Sequence, residues 1–430
     1  MRFSSRIPSA FEPNPWAAQL AARRARGAVL IDLTEANPTR TGLAPVTPAP
    51  AESWGGDGAA RYAPEPRGAE PARRAVARYY ADRSLAIDAD SIVLTSGTSE
   101  AYAHLFRLLA DPGETVLVPR PSYPLFVPLG RAEGTAVRSY RLAYDGSWHV
   151  DFDDLERAIG PRTRAIVVVQ PNHPTGSCLD PPEQARLDAL AARRGLAVIA
   201  DEVFGDFPWP ARGEVRRAAA APAQRHADHD ATPAGARPDP RPPDVSPGAA
   251  PVSAALPSFI AEREAPTFVL SGLSKVCGLP QMKVGWIAVA GPAGERALAL
   301  ERLEWLGDLF LSVSTPAQLL LPAWLEGRRA YQERVRRRLA ANVARLEQAR
   351  ARAPELTVLP GAGGWVAVLR LPQRLSEETW SLALLDRDVI VHPGHFYDFE
   401  SEPYVVISLI VEPGTLDRGL ARLEELVRSG

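Results

Sequence analysis

Two residues stand out by type before any motif is considered. Of the 49 lysines and arginines in the 430-residue chain, only Lys275 and Lys283 are lysines. Ala and Pro are also abundant, so a coding preference that writes Arg wherever charge alone is needed explains the shortage. A lysine kept under such a preference is a candidate for work a guanidinium cannot do: shedding its proton and acting as a nucleophile or forming a Schiff base. Further groups sit where chemistry would use them. Ser96-Gly97-Thr98 follows an apolar run and opens a helical pattern reaching about Ala110, so free backbone N–H groups and two hydroxyls face outward. That arrangement suits a phosphate monoester, and equally a plain turn and helix cap. Asp201 directly follows the apolar run Ala197–Ala200, where it is either a site carboxylate or a capping or ion-paired residue. Lys275 follows the run Thr267–Leu270 in Ser271-Gly272-Leu273-Ser274-Lys275.

The elements that must position these groups read as repeated strand-helix units. Apolar runs at Ile92–Thr95, Thr115–Val118, Ala165–Val169, Ala197–Ala200, Thr267–Leu270 and Val284–Val289 alternate with helical patterns. This predicts an α/β fold with a mostly parallel sheet flanked by helices. Ligands in such sheets bind beyond the carboxyl ends of strands, and the residues there are SGTSEAY, PRPSYP, QPNHPTG, DEVF and SGLSK. After Val289 the pattern turns helical, with a long helix over Tyr331–Arg352 that presents Val335, Leu339, Val343 and Leu346 on one face. Trp365–Leu369 and Tyr404–Leu409 then read as strands. Thr415–Arg428 reads as a helix capped by Thr415, with Leu416, Leu420, Leu423 and Val427 inward. We therefore expect an N-terminal segment (1–45) joined to a smaller α+β C-terminal domain (296–430), around a large domain (46–295). The stretch at about 211–257 is rich in Ala, Arg, Asp and Pro and holds no aromatic residue, which predicts a disordered surface insertion. His226 and His229 within it have a metal-like spacing but no further ligands nearby, so no metal site is predicted.

Composition excludes several function classes. A hydrophobic fraction of 46% is ample for a large core. A net charge of -2 gives no overall attraction to nucleic acid or anionic membrane, and the densest basic run, Arg334 to Arg338, falls in a helical pattern as a solvated face. Two cysteines, Cys178 and Cys277, are too few for a disulfide framework, which points to the cytoplasm. No apolar leader is read at the N-terminus. The uncharged stretch Leu309 to Leu325 is interrupted by polar residues and short for a membrane span.

A phosphate cradle, a strand-end carboxylate and a strand-end lysine together match the needs of pyridoxal 5'-phosphate: donors for the phosphate, an Asp to keep the pyridine nitrogen protonated, and a Schiff-base lysine. At these residues the chain resembles the fold-type I pyridoxal-phosphate-dependent aminotransferases of class I/II. The resemblance rests on ordered motifs: Tyr62-Ala63-Pro64-Glu65-Pro66-Arg67-Gly68, SGTSEAY, PRPSYP, PNHPTG, Asp201-Glu202-Val203, GLSKVCGLP and Gly363-Gly364-Trp365. It implies that Lys275 forms the Schiff base, that Asp201 pairs with the ring nitrogen, and that Ser96, Gly97, Thr98, Ser274 and Lys283 surround the phosphate. It also implies that Tyr123 stacks on the ring, that Asn172 and His173 lie beside it, and that Tyr62 reaches the phosphate of a neighbouring subunit in a homodimer. For Tyr62 and Tyr123 a half-buried packing role is the alternative.

Four departures limit what the resemblance implies. Lys283 stands where relatives carry an Arg, which keeps the charge but loses the bidentate fork. His173 replaces an Asn, and Phe204 replaces a Tyr that donates to the ring's phenolic oxygen. Val406, in Tyr404-Val405-Val406-Ile407-Ser408, takes the place of the Arg that grips the substrate carboxylate. Arg40 is then one candidate substitute, and a substrate that is not a standard α-amino acid is the other explanation. His392 and His395 precede this strand and rank as structural. The expected reaction moves an amino group from an amino acid or related amine to a 2-oxo acid. A lyase or decarboxylase on the same scaffold is the alternative. A non-catalytic cofactor-binding regulator is disfavoured, because the roughly 90 residues before the first core strand already hold the Tyr62 motif.

Overall fold

Runs of Val, Ile and Leu that are apolar on both sides must be covered on both faces, which is the situation of a parallel sheet between helix layers. The computed structural model, which describes residues 3–8, 14–44, 62–211, 255–401 and 403–429, has this arrangement. In chain order the strands are β1 (Ile31–Asp32), β2 (Ile92–Thr95), β3 (Thr115–Arg120), β4 (Ala136–Tyr144), β5 (Trp148–Val150), β6 (Thr163–Val169) and β7 (Ala197–Asp201). They continue with β8 (Thr267–Gly272), β9 (Gly285–Ala290), β10 (Thr357–Val358), β11 (Val366–Arg370), β12 (Val389–Ile390), β13 (His392–Pro393) and β14 (Tyr404–Ser408). The large sheet has the order β2-β9-β8-β7-β6-β3-β4-β5. Its pairs are parallel except those of β9 with β2 and β8, and of β5 with β4. β9 runs backwards because the link from β8 is a short helix (Leu273–Val276) and a tight turn, with no helix long enough to cross back over the sheet.

One sheet face packs Val116, Val167, Ile199 and Leu270 against Leu105 and Phe106 of the helix Thr98–Leu109 and Leu303 and Leu306 of the helix Ala293–Phe310. The other packs Ile166, Val198, Val269 and Trp286 against Tyr79 and Tyr80 of the helix Glu70–Ala81 and Leu187 and Leu190 of the helix Pro181–Arg194. A second, antiparallel sheet, β10-β11-β14-β13, shares a core with the helices Arg328–Arg352 and Pro413–Ser429. The N-terminal segment reaches this part of the molecule: β1 pairs in parallel with β12, and Trp16 and Leu20 of the helix Pro15–Ala25 pack on Leu385 and Ile390.

The terminal helix begins at Pro413 rather than at a Thr415 cap. Proline at the first helical position needs no N–H partner, and Thr415 instead donates its N–H to the Glu412 carbonyl. The four predicted inward residues are all buried. The polar strand β4, next to the edge strand β5 and carrying Arg138, Ser139 and Arg141, has no continuous apolar run and escaped the sequence reading. The predicted insertion at 211–257, with His226 and His229, lies outside the described residues except at its ends.

Candidate active site

Parallel pairing of β7 and β8 sets Asp201 level with Leu270, so the carboxylate and the segment Ser271 to Lys275 leave the sheet at the same edge. The Asp201 carboxylate is buried and accepts from the Tyr102 hydroxyl (3.0 Å to Oδ2) and the Val203 N–H (3.1 Å to Oδ1). Burial lifts its pKa from 3.8 to about 6, against the lowering effects of Val203, Tyr102 and the Lys275 charge. Burial also holds the Lys275 ammonium below the usual lysine range, with Asp201 acting in the opposite direction. Both shifts follow from removing charge from water. Lys275 Nζ lies 5.1 Å from the centre of the Trp365 ring and 5.7 Å from that of Phe204.

Beside these groups the helix Thr98–Leu109 begins with Gly97 as its N-cap and no side-chain cap, so its first-turn N–H groups are available to an anion. Close packing makes this turn. A Cβ on Gly285 would stand 2.9 Å from the Gly97 carbonyl carbon and 3.1 Å from the Thr98 nitrogen, and one on Gly272 would stand 2.9 Å from the Val284 oxygen. Lys283 Nζ lies 3.8 Å from where a Cβ on Gly97 would stand. Its own backbone is left-handed, with φ of 52°, a conformation that costs a non-glycine residue on the order of 1–3 kcal/mol and concentrates at functional sites. Ser96 is anchored through its N–H to Glu100 (2.6 Å), which also accepts from Ser312 (2.6 Å). Ser274 is half-buried in the turn of helix that carries Lys275.

Aromatic rings enclose the remaining side. His173 stacks on Phe204 (5.9 Å, 19° between planes) and meets Tyr123 at 6.0 Å and Tyr397 at 5.4 Å edge to face. Burial, with the nearby Lys275 and His392, drives His173 down to about 3, so the ring is neutral at physiological pH. Tyr123 is 42% exposed. Asn172 is committed internally: it donates to the Pro121 carbonyl (3.0 Å) and Thr175 (2.9 Å) and accepts from Ser122 (3.1 Å). Tyr62 is not drawn into this cluster; it is 85% exposed on a cleft with His104, Leu311 and Ser312.

The substituted positions have their own settings. Val406 is buried with Val368, Tyr397 and Tyr404, opposite His392 in the β13–β14 ladder. His392 Nδ1 lies 2.9 Å from the Tyr397 hydroxyl, and His395 pairs with Glu377 (3.2 Å). Arg40 pairs with Glu35 (3.1 Å) and is largely solvent-exposed. Sequence reasoning missed Tyr102, Tyr397 and the Trp365 ring as members of the site. Only Tyr102 left a signal: it lies four residues after Thr98, which puts it on the same helix face as the anion-binding turn. Among the described residues no cluster of three or more metal-ligating side chains occurs, and no helix is long and apolar enough to cross a membrane.

Comparison with known proteins gives the family and the fold. Tyrosine aminotransferase of Homo sapiens is 35% identical over 135 residues, 31% of this chain and 30% of that protein. Glutamate-pyruvate aminotransferase AlaA of Escherichia coli (strain K12) is 26% identical over 269 residues, 62% of this chain and 56% of that protein. The chain thus spans less than two thirds of these curated relatives. Alanine aminotransferase from Pyrococcus furiosus shares the fold, with a TM-score of 0.79 at 21% identity over 100% of both chains. The family profile described as aminotransferase class I and II matches residues 31–423, and the chain belongs to that family.

Proposed function

We propose that this protein is a pyridoxal-phosphate-dependent aminotransferase that moves an amino group between an amino acid or related amine and an oxo acceptor. The observation that carries the reading is Lys275 beside Asp201 at the carboxyl ends of adjacent parallel strands, next to an uncapped helix N-terminus and Lys283. These residues fit the cofactor. Asp201 is a carboxylate whose pKa is raised by burial, with the Lys275 charge only partly offsetting it, and a ring N–H would supply a closer cation. The Ser271 hydroxyl and Trp365 Nε1, both buried, have no hydrogen-bond partner among the described residues. When bound, the cofactor supplies an aldehyde that takes up the amino group and a protonated ring that draws electrons from the donor carbon.

The chain's own residues divide the remaining work. Lys275 Nζ holds the cofactor at rest and, once displaced, removes the proton from the donor carbon and returns it on the other side of the reaction. Its lowered pKa keeps more of it neutral near pH 7 than an exposed lysine. Asp201, oriented by Tyr102, accepts from the ring nitrogen. Ser96, Gly97, Thr98, Ser274 and Lys283 hold the phosphate. Tyr123 covers the ring, neutral His173 donates to its phenolic oxygen, and Asn172 fixes the loop that presents His173. Tyr62 reaches the cofactor of a second subunit, and its exposure leaves it free to do so. The homodimer is supported by the exposed apolar face of Leu298, Trp305, Leu309 and Phe310 on one helix. Cytoplasmic residence is supported by two unpaired cysteines, Cys178 and Cys277.

The test is a half-reaction. Holoprotein mixed with a panel of amino acids and amines, without acceptor, is expected to pass from the aldehyde to the amine form of the cofactor by absorbance, with one oxo product per site. Ammonia release in its place, or no conversion with any donor, contradicts the reading.

A further inference from the structure

The wall that runs from Lys275 to β14 carries no positive charge. From Nζ it passes to Phe204 (5.7 Å), to His173 stacked on that ring (5.9 Å), to Tyr397 (5.4 Å), and from Tyr397 to Val406 in one apolar cluster. His392 closes it, bonded to Tyr397 and flanked by Trp16 and Phe396 at 6.0 and 5.7 Å. Every member is neutral at physiological pH: burial lowers His173 and His392 and raises Tyr397. The carboxylate that acts on His392 is Asp32, so the field there opposes a second anion. Among the described residues, Arg40 pairs with Glu35, and Arg120 pairs with Asp398 and Glu400 while its buried Nε makes no hydrogen bond. A substrate carboxylate placed against this wall would be buried without a cation or a bidentate fork, an arrangement proteins avoid. The wall does offer aromatic faces and one unpartnered donor, the Trp365 indole N–H.

We propose that the amino donor of this site carries no carboxylate on the carbon that bears the amine: it is a primary amine with an aromatic or apolar body that packs among Trp365, Phe204 and Tyr397. This rests on the aminotransferase reading above. In the net half-reaction one water is consumed: the donor carbon passes its amino group and one hydrogen to the cofactor and gains the oxygen of that water, and Lys275 is released as the free amine. The hydrogen passes as a proton through Lys275 Nζ. The donor is oxidised by two electrons and the cofactor reduced by two, so no further oxidant is required.

The test uses a matched pair that differs only in the carboxylate, 2-phenylethylamine and phenylalanine, in the absorbance half-reaction with holoprotein. The amine is expected to convert faster by on the order of 100-fold in rate per unit concentration, the scale on which an apolar pocket rejects an added polar group. Calorimetric binding of two unreactive mimics gives a readout apart from turnover. 3-Phenylpropanol is expected to bind more tightly than 3-phenylpropanoate, and Val406→Arg to reverse that order. Faster conversion of phenylalanine by the parent protein overturns this proposal and leaves the aminotransferase reading intact. Failure of both compounds to convert, with no other amine active, overturns this proposal, and the aminotransferase reading falls with it only if no amino acid converts either. The parent comparison decides the matter even where the arginine variant does not fold.

Discussion

Asp201 and Tyr102 form a buried hydrogen-bonded pair at the candidate site. The native carboxyl has its pKa raised from 3.8 to about 6, so the folded protein holds that proton more tightly than the unfolded chain does. The resulting penalty on the folded state is absent below pH 3.8, grows as pH rises through the window, and is complete above 6. Asp201→Asn should therefore stabilise the cofactor-free protein at pH 8, by up to about 3 kcal/mol for a shift of about two units. The gain should vanish near pH 4, while cofactor affinity falls; denaturant titrations at both pH values check this, and an equal effect at both contradicts it. Tyr102→Phe removes a donor from a buried carboxylate. It should push Asp201 further up and destabilise the protein at pH 8 by about 1–3 kcal/mol, with a smaller loss at pH 4, read in the same titrations. Lys275 and Asp201 were legible in the sequence because a group that directly follows an apolar strand must stand at the sheet's carboxyl edge. Tyr102, Tyr397 and Trp365 were not, because their roles depend on contacts between elements far apart in sequence.

At the scale of elements, the anion-binding turn is shaped by close approach of strands and turn rather than by a cap. Gly285 presses on Gly97 and Thr98, and Gly272 presses on Val284. Gly285→Ala would place a methyl within 2.9 to 3.1 Å of backbone that has little room to move. It should weaken cofactor binding at least about tenfold, or 1.4 kcal/mol, at a fold cost of about 1–3 kcal/mol typical of overpacking. Calorimetric affinity together with the melting curve checks this, and unchanged affinity contradicts it. The long apolar runs of β2, β6, β7, β8 and β9 gave their own positions in the sequence, since each is buried on both faces. The polar strand β4 and the two-residue strands β1, β10, β12 and β13 were hidden. Their burial is partial or their length too short for a periodic signal, and their pairing is set by tertiary contacts.

At the scale of the whole molecule, Leu298, Trp305, Leu309 and Phe310 are exposed on one helix, and the proposed homodimer would cover them. Trp305→Glu should convert a homodimer to monomers in light scattering and weaken cofactor binding with it, because Tyr62 would lose the site it completes. A monomeric parent protein contradicts this part of the account. The α/β architecture was legible from the alternation of runs, while the reversed direction of β9 depended on the brevity of its link from β8. The central claim is that Lys275 is the residue that holds the cofactor. Borohydride reduction of the loaded protein, followed by proteolysis and mass analysis, tests it directly. The account predicts the reduced cofactor fixed on the peptide that contains Lys275, and label on Lys283 instead, or on no peptide, would contradict it.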